Sequence, residues 1–188
     1  MDENTAAIVK AARGAFARYG VQRTRMADIA TEAQLARQTL YDFVTGREEV
    51  IALALVECCR EMQQRLDADL AAGPQDLRQR FIEVLARAVE IAREDEEFAS
   101  LAEALPAEQV DRIIGAATSV QSLLGKSLKP VLLLAEEAGE LRPEIVVDEA
   151  NQWLLGVISF ALLRERLTGD ALRRELRIFA LPSIFVDK

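Results

Sequence analysis

The chain of 188 residues is 51% hydrophobic and 29% charged, contains no histidine and carries a formal net charge of −8. The absence of histidine excludes Ser-His-Asp hydrolysis, Cys-His catalysis and imidazole-bound zinc. Cys58 and Cys59 are adjacent in sequence, so they cannot close a normal structural disulfide, and they match no metal-binding spacing. We therefore expect a cytoplasmic protein without a metal or a cofactor.

No segment predicts a membrane span or an export signal. The longest apolar run, 153–163, has 11 residues, whereas a membrane helix needs about 20. The N-terminal sequence MDENTAAIVK is acidic, whereas an export signal begins with basic residues. We expect no membrane partner.

Apolar residues recur at spacings of three and four along the whole chain, which predicts an all-α fold. The first helix ends at Tyr19, where Gly20 offers a cap, and Thr24 is placed to cap a second helix from Arg25 to about Ala33. A third helix is predicted over about 37–43.

A long fourth helix follows, because Thr45 and Glu48 have the spacing of a capping box and the apolar stripe behind them continues to Gly73-Pro74. This helix must join the N-terminal helices to the rest of the chain. A fifth helix is predicted to end in the acidic run 94–97, which we expect to be solvated.

The remaining sequence predicts four further helical segments. One begins at Pro106, and another covers about 120–138, where Pro130 should kink or divide it before Gly139 caps it. Asp148 is placed to cap a helix over about 149–167. A last helix is predicted over about 170–181.

Charge is distributed unevenly along the chain. Residues 1–47 hold seven basic and five acidic side chains, a net charge of +2 that leaves −10 for the remainder. Since phosphate affinity comes from lysine and arginine, this asymmetry indicates a small polyanion-binding segment on a larger acidic body.

The spacing between Met26 and Val44 is that of a helix-turn-helix. It places a small residue, Ala30, at the helix crossing, a tight turn around Gln34, and apolar residues that wedge the second helix against the first (Ile29, Leu35 and Leu40). The second helix can lie in the major groove of DNA with its N-terminal residues toward the base edges.

Residues 8–55 resemble the TetR (tetracycline-repressor-like) family of transcriptional regulators. The resemblance lies in Tyr19-Gly20, Met26-Ala27-Asp28-Ile29-Ala30, Arg37-Gln38-Thr39-Leu40-Tyr41 and Arg47-Glu48-Glu49. It implies an all-helical homodimer with an N-terminal helix-turn-helix DNA-binding domain, residues 1–46, and a C-terminal domain, residues 47–188, that binds a small effector and dimerises. We expect double-stranded DNA with a palindromic operator as the partner.

Four positions depart from the family pattern. Gln34 and Ala36 stand where the family usually has glycine and serine, Val44 replaces an aromatic residue, and Asp42 places a negative charge near DNA. Loss of a serine cap costs about 0.5–2 kcal/mol. These departures could weaken DNA binding or alter its docking. Asp42 could accept a hydrogen bond from cytosine or pair with Arg47.

The predicted DNA contacts differ in kind. Arg37 suits guanine and Gln38 suits adenine at their major-groove edges, and Thr39 suits a base or a phosphate. Tyr41 and Arg47 resemble the family's phosphate contacts, although Tyr41 could simply pack. Thr24 and Arg25 could hold the opposite backbone, although Thr24 could act only as a cap.

The C-terminal body predicts a dimer interface and a ligand pocket. Residues 153–163 are apolar around most of a helix, which favours burial on all sides through a second subunit. The alternative is a central helix buried within one monomer. We predict an interface formed by Trp153, Leu154, Val157, Ile158, Ala161, Leu162, Leu172, Leu176 and Phe179. Candidate walls of a pocket for a hydrophobic effector are Met62, Phe81, Phe98, Thr118, Gln121 and Trp153.

These features favour a ligand-responsive DNA-binding regulator, most simply a repressor that its effector releases from DNA. The alternative is a helical small-molecule-binding or scaffold protein that has lost DNA binding. An enzyme is not expected, because the sequence has no histidine, metal motif or glycine-rich phosphate loop.

Overall fold

The computed structural model describes residues 1–111, 118–164 and 166–186, with the side chains of residues 111 and 118–125 outside that description. The all-α prediction is confirmed. The described elements are α1 (Glu3–Tyr19), α2 (Met26–Glu32), α3 (Arg37–Phe43), α4 (Arg47–Leu70), α5 (Leu77–Glu94), α6 (Glu96–Glu103), α7 (Ala107–Asp111), α8 (Thr118–Glu137), α9 (Val147–Leu163), α10 (Gly169–Glu175), a π-helical turn (Leu176–Ala180) and α11 (Leu181–Ile184).

Contacts within the chain cluster into two units. The first contains Met1–Cys59 and the described part of 96–113, and the second contains Arg60–Asp95 and the described residues from 118 onward. Helix α4 therefore contributes residues to both units. The predicted functional boundary between residues 46 and 47 stays a prediction, while the contacts divide later because Val50, Ile51 and Leu55 are fully buried within the first unit.

The first unit is built on α1, which packs against α2 and α3. Asp2 caps α1 by accepting a hydrogen bond of 3.0 Å from the Thr5 backbone N–H, and the acidic group also suits the positive end of the helix dipole. Ile8, Ala12 and Phe16 form the buried stripe of α1. Gly20 ends the helix at a φ of +83°.

The acidic run 94–97 was expected to be solvated, and for Glu97 this is wrong. Arg13 of α1 donates from Nε and Nη2 to the two carboxylate oxygens of Glu97, at 2.7 and 2.8 Å. The Glu97 side chain is 35% exposed, because a two-pronged arginine contact holds it against α1. This pair attaches α6 to α1 within the first unit, although the two helices are far apart in sequence.

The second unit has α5 at its centre. This helix packs against α8, α9 and α10, and Phe81, Leu85 and Ile91 are almost completely buried. The rings of Phe81 and Phe185 meet edge to face with their centroids 5.3 Å apart. The described C-terminal residues thus pack against α5. Because α5 is covered by several helices, it needs apolar groups on more than one side.

A charged cluster fastens α10 to α5. Arg173 donates to Glu83 at 2.9 Å and to Glu90 at 2.5 Å, and Arg87 donates to Glu90 at 2.9 Å. Burial by itself raises the pKa of Glu90, but the hydrogen bonds from Arg173 and Arg87 outweigh it and hold that pKa below its usual value. The same contacts raise the pKa of Arg173. The carboxylate form of Glu90 therefore stabilises the fold.

Several predicted helix ends are corrected. Helix α8 continues through Pro130, so the predicted division is wrong, while the alternative of a kink stays a prediction. Helix α9 begins after Val146, which has no side-chain cap, and Asp148 instead accepts a hydrogen bond of 2.6 Å from Lys129 of α8. The last helical segment runs on through a π-helical turn to Ile184. No helix within the described ranges is both long and apolar enough to cross a membrane.

Candidate nucleic-acid interface and the predicted effector and dimer residues

The turn between α2 and α3 depends on one residue in a left-handed conformation. Gln34 has a φ of +57°. The Gln34 N–H donates to the Thr31 carbonyl at 3.1 Å, and the Leu35 N–H donates to the Ala30 carbonyl at 2.9 Å. These two bonds form a Schellman motif, whose central position usually holds glycine. The sequence therefore located the turn correctly, and glutamine adopts the strained conformation there.

The predicted wedge between the two short helices is present. Ile29 and Leu40 are fully buried and Ala30 is almost so, while Leu35 is half-buried. Val44, which stands where the family usually has an aromatic residue, is 2% exposed and closes the core after α3. The smaller side chain is therefore accommodated without leaving the position open to solvent.

The recognition helix α3 presents the two predicted base-reading side chains to solvent. Arg37 and Gln38 are exposed, whereas Thr39 is half-buried. The Arg37 guanidinium lies 5.8 Å from the centroid of the Tyr41 ring, a distance at which a cation and an aromatic face attract each other. Tyr41 remains 42% exposed. Ala36 is the N-cap and has no side-chain oxygen to accept a hydrogen bond from the helix end, so the first N–H groups of α3 are left for other acceptors.

Thr24 is buried inside the first unit, where the sequence predicted a helix cap or a DNA contact. Its side chain is 1% exposed, and its hydroxyl donates to the Gly20 carbonyl at 2.9 Å and to the Ala15 carbonyl at 3.3 Å. The N-cap of α2 is Arg25, whose N–H donates to the Asp28 carboxylate at 2.8 Å. The prediction that Thr24 caps α2 is therefore wrong. Its burial also leaves its hydroxyl no access to DNA, whereas Arg25 is exposed.

Arg47, at the start of α4, braces the loop before α2. Its guanidinium donates from Nη2 to the Val21 carbonyl at 2.6 Å and from Nε to the Thr24 carbonyl at 3.2 Å. These bonds fix the side chain in one orientation and leave it half-buried. If Arg47 contacts a phosphate, its guanidinium is therefore already held in place by these two carbonyls before DNA binds.

The capping interaction at α4 is displaced by one residue from the prediction. Thr45 donates from its backbone N–H, at 2.5 Å, and from its hydroxyl, at 2.6 Å, to the carboxylate of Glu49 and not of Glu48. The Thr45 hydroxyl bond is the larger cause of a lowered pKa at Glu49, followed by the backbone bond. An ionised Glu49 therefore stabilises the start of α4.

The predicted effector residues are not brought together in one described cavity. Phe81 is fully buried against Phe185 as part of the core, and Trp153 is 50% exposed. Met62 packs at the edge of the core of the second unit, whereas Phe98 belongs to the first. The side chains of Thr118 and Gln121 lie outside the described residues. Phe81 is therefore a core residue, and the pocket as a whole stays a prediction.

The predicted dimer residues divide into two sets. Leu154, Ile158, Ala161, Leu172 and Leu176 are 7% exposed or less, so the protomer's own core uses these five, and Val157 and Leu162 pack at its edge. Sequence alone predicts an interface for these five residues because it cannot separate the two sides of an apolar helix. Trp153 and Phe179 remain exposed.

Exposed apolar groups continue beyond the predicted interface set. They surround a groove of about 520 Å³ between α9 and the segment 172–180, lined in part by Trp153, Gly156, Phe160 and Phe179. Leu163, the last residue of α9, is 84% exposed, Phe160 is 59% exposed and Phe179 is 70% exposed. We call this surface the α9 groove. The all-round apolar character of residues 153–163 was the signal that could have added Phe160 and Leu163.

Comparison with known proteins agrees with the geometry of the first unit. A family model described as "Bacterial regulatory proteins, tetR family" matches residues 8–52, which include α2, the left-handed turn and α3. The chain thus contains, at residues 8–52, a segment that matches the N-terminal domain of the tetR family of bacterial regulatory proteins. Its helix-turn-helix is thus the DNA-binding element of a transcriptional regulator. Among curated proteins, none is similar in sequence.

Solved structures share the fold over nearly the whole chain. The TetR-family repressor QsdR of R. erythropolis is 15% identical, with 95% of this chain and 92% of that chain covered and a TM-score of 0.67. FadR of Bacillus subtilis, a transcriptional regulator solved with stearoyl-CoA, is 17% identical, with 94% and 95% covered and a TM-score of 0.56. The superantigen PfiT is also 17% identical, with 100% and 98% covered and a TM-score of 0.59. At these identities the likeness concerns the fold alone.

Proposed function

We propose that the protein is an effector-released repressor that binds a palindromic operator as a homodimer, through α3 of each protomer. The observation that carries this proposal is the exposed pair Arg37 and Gln38 at the N-terminus of a helix that a buried wedge holds in helix-turn-helix geometry. Arginine and glutamine offer paired hydrogen bonds to guanine and adenine in the major groove. Cytoplasmic location follows from the operator, and no catalytic role is part of the proposal.

Net acidity does not oppose this proposal, because the basic groups are concentrated in residues 1–47. Arg25 and Arg37 are exposed, while Arg47 is held at the start of α4. Electrostatic attraction to phosphate acts locally and is screened over about 8 Å at physiological salt. The charge close to the recognition helix therefore matters more for DNA binding than the charge of the whole chain.

Selection of DNA from a random library, followed by fluorescence anisotropy on the selected sequence, tests the proposal. We expect a palindrome with half-sites about 10–10.5 base pairs apart, or a multiple of that spacing, because two recognition helices must reach successive major grooves. Binding of equal strength to scrambled DNA, or no binding at all, would favour the alternative of a helical binding protein that has lost DNA recognition.

Substitutions separate base reading from general charge. Arg37→Ala and Gln38→Ala should each weaken operator binding by about 1–3 kcal/mol and relax the preference at one base position. Lys126→Ala is the matched control, because it removes an exposed cation from the second unit. We expect the control to bind the operator like the wild type. Equal losses in all three variants would show that the recognition helix does not read bases.

The homodimer is proposed to form through the α9 groove. A twofold interface uses the same patch on both protomers, and this patch contains both the groove and exposed aromatic rings, Phe160 and Phe179, that a second copy can insert into it. Arg164 and Glu175 form an ion pair of 2.6 Å at the groove, so the patch carries little net charge. Covering these rings removes apolar area from water.

Light scattering coupled to size exclusion tests the proposed interface. Phe179→Asp should produce a monomer, because it buries a charge in an apolar contact. Val146→Asp is the matched control, since Val146 is 54% exposed but does not line the α9 groove. A monomeric wild type, or a Phe179→Asp variant that remains dimeric, would refute this interface.

Effector release is the remaining part of the proposal. Helix α4 continues from Arg47 into the second unit, so a ligand that prefers one arrangement of α4 can shift the population that fits the operator. We propose a small, largely apolar effector, in line with the hydrophobic candidate residues. An effector that leaves operator affinity unchanged at fixed salt would refute this coupling.

A further inference from the structure

Two polar side chains, Thr24 and Gln63, are buried among the described residues, at 1% and 4% exposure. The Thr24 hydroxyl has two backbone partners. Gln63, on the part of α4 that belongs to the second unit, differs because its Oε1 is buried and accepts no hydrogen bond. Native proteins rarely leave a buried carbonyl oxygen without a donor, since its desolvation is then uncompensated.

The orientation of the Gln63 amide is determined by its neighbours. Its Nε2 donates to Asp67 Oδ1 at 2.9 Å and to the Ser127 hydroxyl of α8. The Ser127 hydroxyl in turn donates to Asp67 Oδ1 at 2.5 Å. A carboxylate accepts hydrogen bonds and cannot donate one, so the opposite orientation of the amide would place two oxygens against each other. Oε1 must therefore remain on the side without a donor.

We propose that Gln63 Oε1 is the hydrogen-bond acceptor of the effector site, and that the effector is an apolar molecule with one uncharged O–H or N–H donor. This inference rests on the proposed function, because it assigns an anchor to the effector of the same regulator. On the same stretch of α4, Leu66 belongs to the apolar core of the second unit and Met62 packs against it, so the rest of the ligand would meet apolar side chains.

An uncharged donor fits this position better than an ammonium group. The Gln63 carbonyl is neutral, and burying an unpaired cation beside apolar groups is far more costly than burying a hydroxyl. Asp67 is the neighbouring carboxylate, but it is exposed and already accepts from Gln63 and Ser127. Its charge is therefore shared with those donors and screened by water.

A site with a single buried acceptor distinguishes between ligands by whether they leave that acceptor without a hydrogen bond. A ligand that bears the donor satisfies Oε1, whereas the same ligand with the donor methylated leaves it buried and unpaired. One net hydrogen bond corresponds to about threefold to tenfold in affinity. The expected preference is therefore measurable with simple pairs of compounds.

Isothermal titration of the full-length protein without DNA tests the proposal. The probes are 1-naphthol against 1-methoxynaphthalene, and 1-decanol against decyl methyl ether. We expect the alcohol of at least one pair to bind about threefold to tenfold more tightly than its ether. Equal affinities within both pairs, tighter binding of the ethers, or no binding of any probe would overturn the proposal without requiring a variant.

Two variants locate the acceptor. Gln63→Met removes it and should equalise the affinities within the pair. Asn151→Leu is the matched control, because Asn151 Oδ1 is also buried without a hydrogen-bond partner but lies on α9. We expect Asn151→Leu to keep the preference for the alcohol. Loss of that preference in the control alone would overturn the assignment to Gln63.

The outcome is independent of DNA recognition. An alcohol preference that depends on Gln63 supports this site even if operator binding fails, in which case only the regulator function is refuted. Operator binding with equal alcohol and ether affinities refutes this site alone.

Discussion

Replacing Gln34 by glycine should stabilise the DNA-reading unit. The residue has a φ of +57°, and an L-amino acid pays about 1–2 kcal/mol in the left-handed region. Glycine avoids this strain but has more freedom in the unfolded chain, which offsets about 0.4–1 kcal/mol. The Gln34 side chain is exposed, so its removal loses little packing. We expect a net gain of about 0.5–1 kcal/mol in the free energy of unfolding.

The chain provides a matched position for the opposite substitution. Gly139, after α8, has a φ of +65°, and the same two backbone bonds form around it, from Gly139 to Glu136 at 3.0 Å and from Glu140 to Ala135 at 2.8 Å. A Cβ added to Gly139 meets nothing within 4 Å. Gly139→Ala should therefore destabilise by about 1 kcal/mol through backbone conformation alone.

Thermal unfolding followed by circular dichroism measures both effects. For a chain of this length 1 kcal/mol corresponds to about 2–4 °C in Tm, so Gln34→Gly should raise the transition of the first unit by about 1–4 °C. Gln34→Ala, which keeps an L-residue in the turn, should change it much less. A Gln34→Gly variant that is no more stable than Gln34→Ala would show that the turn is not strained.

Three further predictions concern polar contacts. In a double-mutant cycle, Arg13→Ala and Glu97→Ala should show a coupling of about 0.5–1 kcal/mol, because the pair is partly exposed; additive effects would exclude a stabilising contact. Arg47→Ala should lower both Tm and operator affinity, since it removes two bonds to backbone carbonyls; a loss of affinity with unchanged Tm would contradict the bracing role. The pKa of Glu90 is lowered in the folded state, so its contribution is present above its ordinary value of 4.5 and is lost as pH falls through the lower folded pKa. The difference in Tm between wild type and Glu90→Gln should therefore shrink in acid. A difference that does not depend on pH would refute an ionic contribution from Glu90, whose main charged partner is Arg173.

Local patterns in the sequence were sufficient for the DNA-reading element. The recognition helix was predicted over 37–43 and is observed at Arg37–Phe43, and the turn was placed at the residue that adopts a positive φ. These features depend on contacts between residues close in sequence, such as the wedge of Ile29 and Leu40. Apolar spacing and turn geometry act over the same short distance.

Prediction failed where the partner is distant along the chain. The sequence could not show that Glu97 binds Arg13 or that Asp148 pairs with Lys129 instead of capping its own helix. A carboxylate near a helix end looks the same in the local sequence whether it caps its own helix, faces solvent or pairs with a distant cation. Which donor it meets depends on how the helices pack.

Local sequence patterns were enough to predict the all-α fold and the helix-turn-helix, because the periodicity of helices and the spacing of a helix-turn-helix are properties that a single chain segment specifies. The division of the apolar surface of α9 follows from how the helices pack: Leu154 and Ile158 are buried in the protomer, while Trp153 and Phe160 remain at the surface. Helix packing also left Gln63 buried with an unsatisfied oxygen. Burial depends on all neighbouring helices together, and periodicity within one helix reports only that an apolar surface must be covered, not what covers it.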